Sequence, residues 1–105
     1  MMESHYPEPI AVLEKNDKEL YELAKTVHDL ALAPGELDAR TKVLITMALD
    51  AAAGAEGGVR VLAAVARQMG VTEGQIKEVM RIVYLTAGMG ALWTSKPAFD
   101  RPEES

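Results

Sequence analysis

Apolar residues recur at helical spacing in successive stretches of this chain, and polar or glycine breaks separate them. Leu20, Leu23, Ala24, Val27, Leu30 and Ala31 fall at i, i+3, i+4, i+7, i+10 and i+11, a continuous stripe on a helix. Asn16 followed by Glu19 has capping-box spacing, so this helix is expected to start near Asn16. Pro34-Gly35 breaks it. A second helix is predicted over 38–53, with Asp38 as N-cap and Gly54 beyond its end. From Val43 onward only Thr46 and Asp50 in it are polar, so it is expected to be the most buried helix.

A third helix is predicted over 57–69, with Val59, Leu62, Ala63 and Ala66 inward, Arg60 and Arg67 off that stripe, and Gly70 as terminator. Thr72 and Gln75 form a capping box before a fourth, with Ile76, Val79, Met80, Val83 and Ala87 at helical spacing. Gly88 and Gly90 interrupt, and 91–95 reads as a short further helix stopped before Pro97. No strand-like alternation of useful length occurs. The predicted class is all-α, a bundle of about four to six helices. The ends read differently: 1–9, with Pro7 and Pro9 around Glu8, as a flexible arm, and 97–105 as a loose tail. With 105 residues, one domain is expected over 1–105.

Composition sharpens this picture. The chain is 49% hydrophobic but only 5% aromatic, so aliphatic residues and methionine must build the core. Met47, Met69, Met80 and Met89 read as adaptable core filler. A helix apolar on most sides needs more cover than a chain this small provides, which predicts a homo-oligomer. The net charge of -5 makes nucleic acid a poor partner. No apolar run approaches the roughly 20 residues needed to span a bilayer, and no basic-then-apolar leader opens the chain. A cytoplasmic protein with no membrane partner is expected. There is no cysteine, which removes disulfides, thiolate metal ligands and thiol nucleophiles.

The residues form an ordered set: Leu37-Asp38 and Arg40-Thr41-Lys42 opening a helix, Leu44-Ile45 and an alanine-rich run, then a glycine joint. A helix ending at 66–70, Val71-Thr72-Glu73 with Ile76, and 87–92 follow. This set resembles the carboxymuconolactone decarboxylase superfamily, which includes the alkylhydroperoxidase D-like proteins, over roughly 37–92. The resemblance implies a helical bundle assembled as trimers or hexamers. For the peroxidase branch it also implies two cysteines, a histidine and a glutamate, which fall at Ala55, Gly58, Leu62 and Val43 of this sequence. None of those residue types is present there, and the histidine that the decarboxylase branch keeps is likewise replaced at Leu62. No catalytic residue carries over.

Val43, Asp50, Ala55, Gly58, Arg60 and Leu62 are the candidate pocket positions. Asp50 is the odd residue of an apolar helix. A buried carboxylate is costly unless paired, and Arg60 or Arg67 is its expected partner. Glu56 and Arg60 are four apart, the spacing of a helical ion pair, and Arg60 is able to hold a carboxylate ligand. The glycines at 54, 57 and 58 follow no strand, so they are not a dinucleotide fingerprint; Gly58 reads as a close helix contact. His5 and His28 are the only histidines, and His28 reads as a surface residue rather than a metal ligand. Tyr84 and Trp93 suit a pocket or an interface. Ala66, Gly70 and Ile76 match a helix-turn-helix spacing, but the helix that follows carries Glu73 and Glu78 beside Lys77 and Arg81. The sequence therefore points to a family-like homo-oligomer without the thiol peroxidase site, binding a small molecule or serving structurally, with no metal or cofactor. The alternatives are an enzyme acting on a small carboxylate or lactone and, behind it, a DNA-binding helix-turn-helix.

Overall fold

The computed structural model describes residues 6–100. Contacts divide the chain into two compact units, Met1–Gly35 and Glu36–Ser105, where length alone predicts one. The division falls just after Pro34-Gly35, a pair that stops helix propagation. The described residues form α1 (Glu8–Ala11), α2 (Leu13–Asn16), α3 (Lys18–Leu32), α4 (Ala39–Ala53), α5 (Glu56–Gln68), α6 (Glu73–Ala87), α7 (Met89–Ser95) and a 3-10 turn (Lys96–Phe99). No strand occurs among them, and the all-α class stands.

In the first unit, helix begins inside the expected arm. Pro9 sits in the first turn of α1, where a missing N–H costs nothing, and the Pro7 carbonyl accepts from Ile10 and Ala11 N–H at 2.9 Å. The rest of that arm, with His5, lies outside the described residues. Asp17, not Asn16, caps α3: its carboxylate accepts from Leu20 N–H at 3.0 Å. Asn16 is already the last residue of α2, and its amide donates back to the Val12 carbonyl at 2.7 Å. Tyr21 is the one buried residue of α3. The Tyr6 ring meets it edge-on at 6.4 Å and His28 at 5.1 Å, while the Tyr6 hydroxyl donates to Asp29 at 2.9 Å. That bond raises the Tyr6 pKa, because ionising the phenol would set it against a carboxylate. The stripe of Leu20, Leu23, Val27 and Leu30 is exposed, up to 78% at Leu30, rather than inward.

The second unit follows the sequence pattern more closely. Asp38 accepts from Thr41 N–H at 2.8 Å to cap α4, which also holds the Asp38 pKa below the usual carboxylate value. Gly54 ends α4 at φ 83°, a conformation that disfavours any Cβ. The Thr72–Gln75 capping box is formed in both directions. Met47, Val59 and Ile76 are fully buried at the centre, with Ala51, Ala63, Ala66, Met80, Val83, Ala91 and Ala98 around them. Small residues at 51, 63 and 66 let α4 lie close along α5.

Several expectations fail in informative ways. Helix α4 is not the most buried: it buries Met47 and Ala51, whereas α5 and α6 bury three residues each. Ile45 and Leu49 face outward at 44% and 64% exposure. Met89 is exposed and is not core filler, because α7 starts there rather than at Ala91. The tail is not loose at its start. Pro97 and Ala98 are buried in the 3-10 turn, and Arg67 donates to the carbonyls of Ala98 at 2.7 Å and Asp100 at 2.9 Å. Residues 101–105 lie outside the described residues.

Candidate functional site

The six candidate positions are spread along α4, α5 and the joint between them, with Asp50, Ala55 and Gly58 nearest the joint. Val43 and Leu62 are half-buried and pack against the core. Ala55 is exposed at the N-cap of α5, and its N–H donates to the Asp50 carbonyl at 2.8 Å. Asp50 and Gly58 are the pair that meets. A Cβ built on Gly58 would run into the Asp50 carboxylate, so only glycine leaves it that space. Partial desolvation pushes the Asp50 pKa above the ordinary carboxylate value.

The expected partners of Asp50 are engaged elsewhere. Arg60 pairs with Asp100 at 3.1 Å and with Glu56 at 3.5 Å, the latter at its helical spacing. Arg67 makes a two-pronged pair with Glu73, Nε to Oε2 at 2.6 Å and Nη2 to Oε1 at 2.9 Å. Each arginine is taken by another carboxylate. Among the described residues no cation pairs with Asp50.

Two predictions follow from this geometry. Alanine is favoured over glycine inside a helix by about 1 kcal/mol, so Gly58→Ala should stabilise an Asp50→Ala background by about that much. In the wild-type background the same change must displace the Asp50 carboxylate, and the gain should shrink or reverse. A double-mutant cycle by chemical denaturation reads the coupling; equal effects in both backgrounds would contradict the contact. Second, a carboxylate whose folded pKa lies above its unfolded value weakens the fold when ionised. That penalty is absent in acid, where both states are protonated. It grows as pH rises through the unfolded value and is complete above the folded one. Asp50→Asn should therefore be more stable than wild type near neutrality and lose that advantage in acid. A difference independent of pH would contradict this.

A separate open groove of about 400 Å³ is lined by Lys77, Met80, Arg81, Tyr84, Leu92 and Phe99, none of them a candidate position. Sequence reasoning assigned Tyr84 to a pocket or interface but treated Lys77 and Arg81 only as sparse charges on a supposed recognition helix. The available signal was their spacing: 77, 80, 81 and 84 share one flank of α6. Among the described residues no group of three or more histidines, aspartates or glutamates is arranged to hold a metal ion. No helix among them is long and apolar enough to cross a membrane.

Residues 18–101 match the carboxymuconolactone decarboxylase family. The chain belongs to that family. The family match runs from α3 through the 3-10 turn, beyond the 37–92 that the sequence pattern picks out. An uncharacterised protein of Methanocaldococcus jannaschii is 33% identical over 82 residues, covering 78% of this chain and 77% of the relative. No solved structure matches. In this carboxymuconolactone decarboxylase family chain the α4–α5 junction presents one carboxylate packed against a glycine, and no thiol exists anywhere in the sequence.

Proposed function

We propose that this protein is a homo-oligomeric family member that works without thiol chemistry, as a small-molecule-binding or structural module, in trimers or hexamers. The observation that carries the reading is the outward apolar face of α4, where Ile45 and Leu49 lie one helical turn apart in solvent. Soluble proteins rarely leave such contiguous apolar faces uncovered. The exposed stripe of α3 supports it independently. A crystal structure of the assembled protein tests it: Ile45 and Leu49 should be covered by a second copy, and finding both in solvent in the assembled state would overturn it.

Thiol-dependent peroxide reduction is not expected, since that chemistry passes through a cysteine sulfenic acid and the chain has no cysteine. Saturable turnover with dithiol reductants, in protein free of contaminating peroxidase, would contradict this. Duplex DNA binding is not expected either. Glu73 at the start of α6 is engaged by Arg67, and the net charge of -5 opposes a phosphate backbone.

A second reading is an enzyme acting on a small carboxylate or lactone, and Asp50 favours it. A partly desolvated carboxylate with a raised pKa holds a proton more readily than an ordinary one, which suits it to proton transfer. On this reading Asp50→Asn abolishes turnover of a responsive lactone while leaving the fold intact, and retained turnover removes Asp50 from the chemistry.

A further inference from the structure

The groove beside α6 combines features that the proposed function does not use. Met80, Tyr84, Leu92 and Phe99 supply apolar walls from α6, α7 and the 3-10 turn. Lys77 and Arg81 stand on the same flank of α6, one turn apart. Like charges at that spacing repel, and neither pairs with a carboxylate among the described residues. Three other cations of the second unit are engaged. Arg60 and Arg67 hold carboxylates, and Lys96 lies over the Trp93 ring at 5.0 Å. Two unneutralised cations at the rim of an apolar trough, in a chain of net charge -5, describe a particular complement. It has one anionic head and an apolar body.

We propose that this groove binds a single-headed amphipathic carboxylate, its carboxylate between Lys77 and Arg81 and its hydrocarbon body along Met80, Tyr84, Leu92 and Phe99. A trough of about 400 Å³ falls in the range of small-molecule sites. It suits a chain of about six to ten carbons, whose burial supplies affinity while the cations set polarity. Arg81 is the stronger head-group ligand, since its fork can meet both carboxylate oxygens, and Lys77 adds a point charge. The stems of both side chains extend the apolar wall. The groove involves none of the outward residues of α4, so it does not depend on the assembly proposed above.

The test is calorimetric titration of the full-length protein with octanoate, below its micellar range, beside 1-octanol and octylammonium. Octanoate should bind, with octanol about tenfold weaker or worse and octylammonium absent. Lys77→Gln/Arg81→Gln should lose at least about tenfold in octanoate affinity with an unchanged circular dichroism melt. Phe99→Ala should weaken octanoate and octanol alike. Equal octanoate binding by wild type and the double variant would overturn the proposal, as would no octanoate binding at all. Vesicles containing phosphatidylglycerol form a further arm. Capture by vesicles without binding of free octanoate would assign the cations to a membrane surface and overturn the small-molecule site. Because sedimentation reads assembly separately, failure here leaves the oligomeric reading standing.

Discussion

Leu49→Asp should split the protein into folded subunits, whereas Ala48→Glu should unfold it. The two residues are neighbours on α4 but face different ways. Leu49 is 64% exposed, so a carboxylate there meets water in the separated chain and is penalised only where another copy covers it. Ala48 packs against the core of the second unit. A glutamate there must bury a charge or force the helix away from α5, at a cost of about 2–5 kcal/mol. That is a large part of the roughly 5–15 kcal/mol by which ordinary domains are stable. The paired outcome is read by thermal melts alongside sedimentation velocity. A Leu49→Asp protein that stays fully assembled would show that α4 is not the interface, and an Ala48→Glu protein with an unchanged melt would contradict the packing.

Arg67→Met should lower stability by about 2–3 kcal/mol, with the loss centred on the 3-10 turn. Arg67 joins three segments: Glu73 at the start of α6, and the carbonyls of Ala98 and Asp100. Its side chain is only 15% exposed, so the interaction is more than a surface ion pair. Glu73 is 40% exposed, and water recovers part of what the guanidinium supplied, which keeps the cost below that of a fully buried pair. Methionine retains most of the stem, so lost packing is a minor contributor. At about 4–8 °C per kcal/mol for a domain of 60–100 residues, the melting shift should exceed about 8 °C. Hydrogen exchange at 96–100 should rise more than in α4. A shift under about 2 °C would mean that the guanidinium contributes little beyond its packing.

Local signals gave the second unit its outline because they are enforced locally. The Asp38 cap, the left-handed Gly54 and Gly70, and the Thr72–Gln75 box each satisfy backbone groups within a few residues. The apolar stripe of α5 was legible for the same reason. What the pattern could not give was direction. A helix rich in alanine, leucine and isoleucine is apolar all round, and nothing in the spacing says that Ile45 and Leu49 turn away from the core. The α3 stripe misled similarly: its period is real, yet Leu20, Leu23, Val27 and Leu30 are exposed and the buried side is marked by Tyr21. Prolines misled at both ends, since Pro9 and Pro97 occupy first-turn positions that tolerate the ring.

The candidate site was legible in part. Asp50 and Gly58 are both candidate positions and Gly58 reads as a close helix contact, but the sequence does not show that the two meet, and the expected pairing of Asp50 with an arginine does not form. Salt-bridge choice depends on which carboxylate lies nearest in space, and Asp100 and Glu73 come to Arg60 and Arg67 only through the folded tail and the α5–α6 turn. The groove beside α6 was missed because its walls come from three elements and only the α6 wall has a sequence period.

Sedimentation equilibrium of the wild-type protein at micromolar concentration bears most directly on the claim of a non-thiol homo-oligomer. A single species with the mass of three or six chains is expected. A cooperatively folded monomer across the micromolar range would contradict it, and would mean that the outward faces of α3 and α4 are stable in water without a second copy.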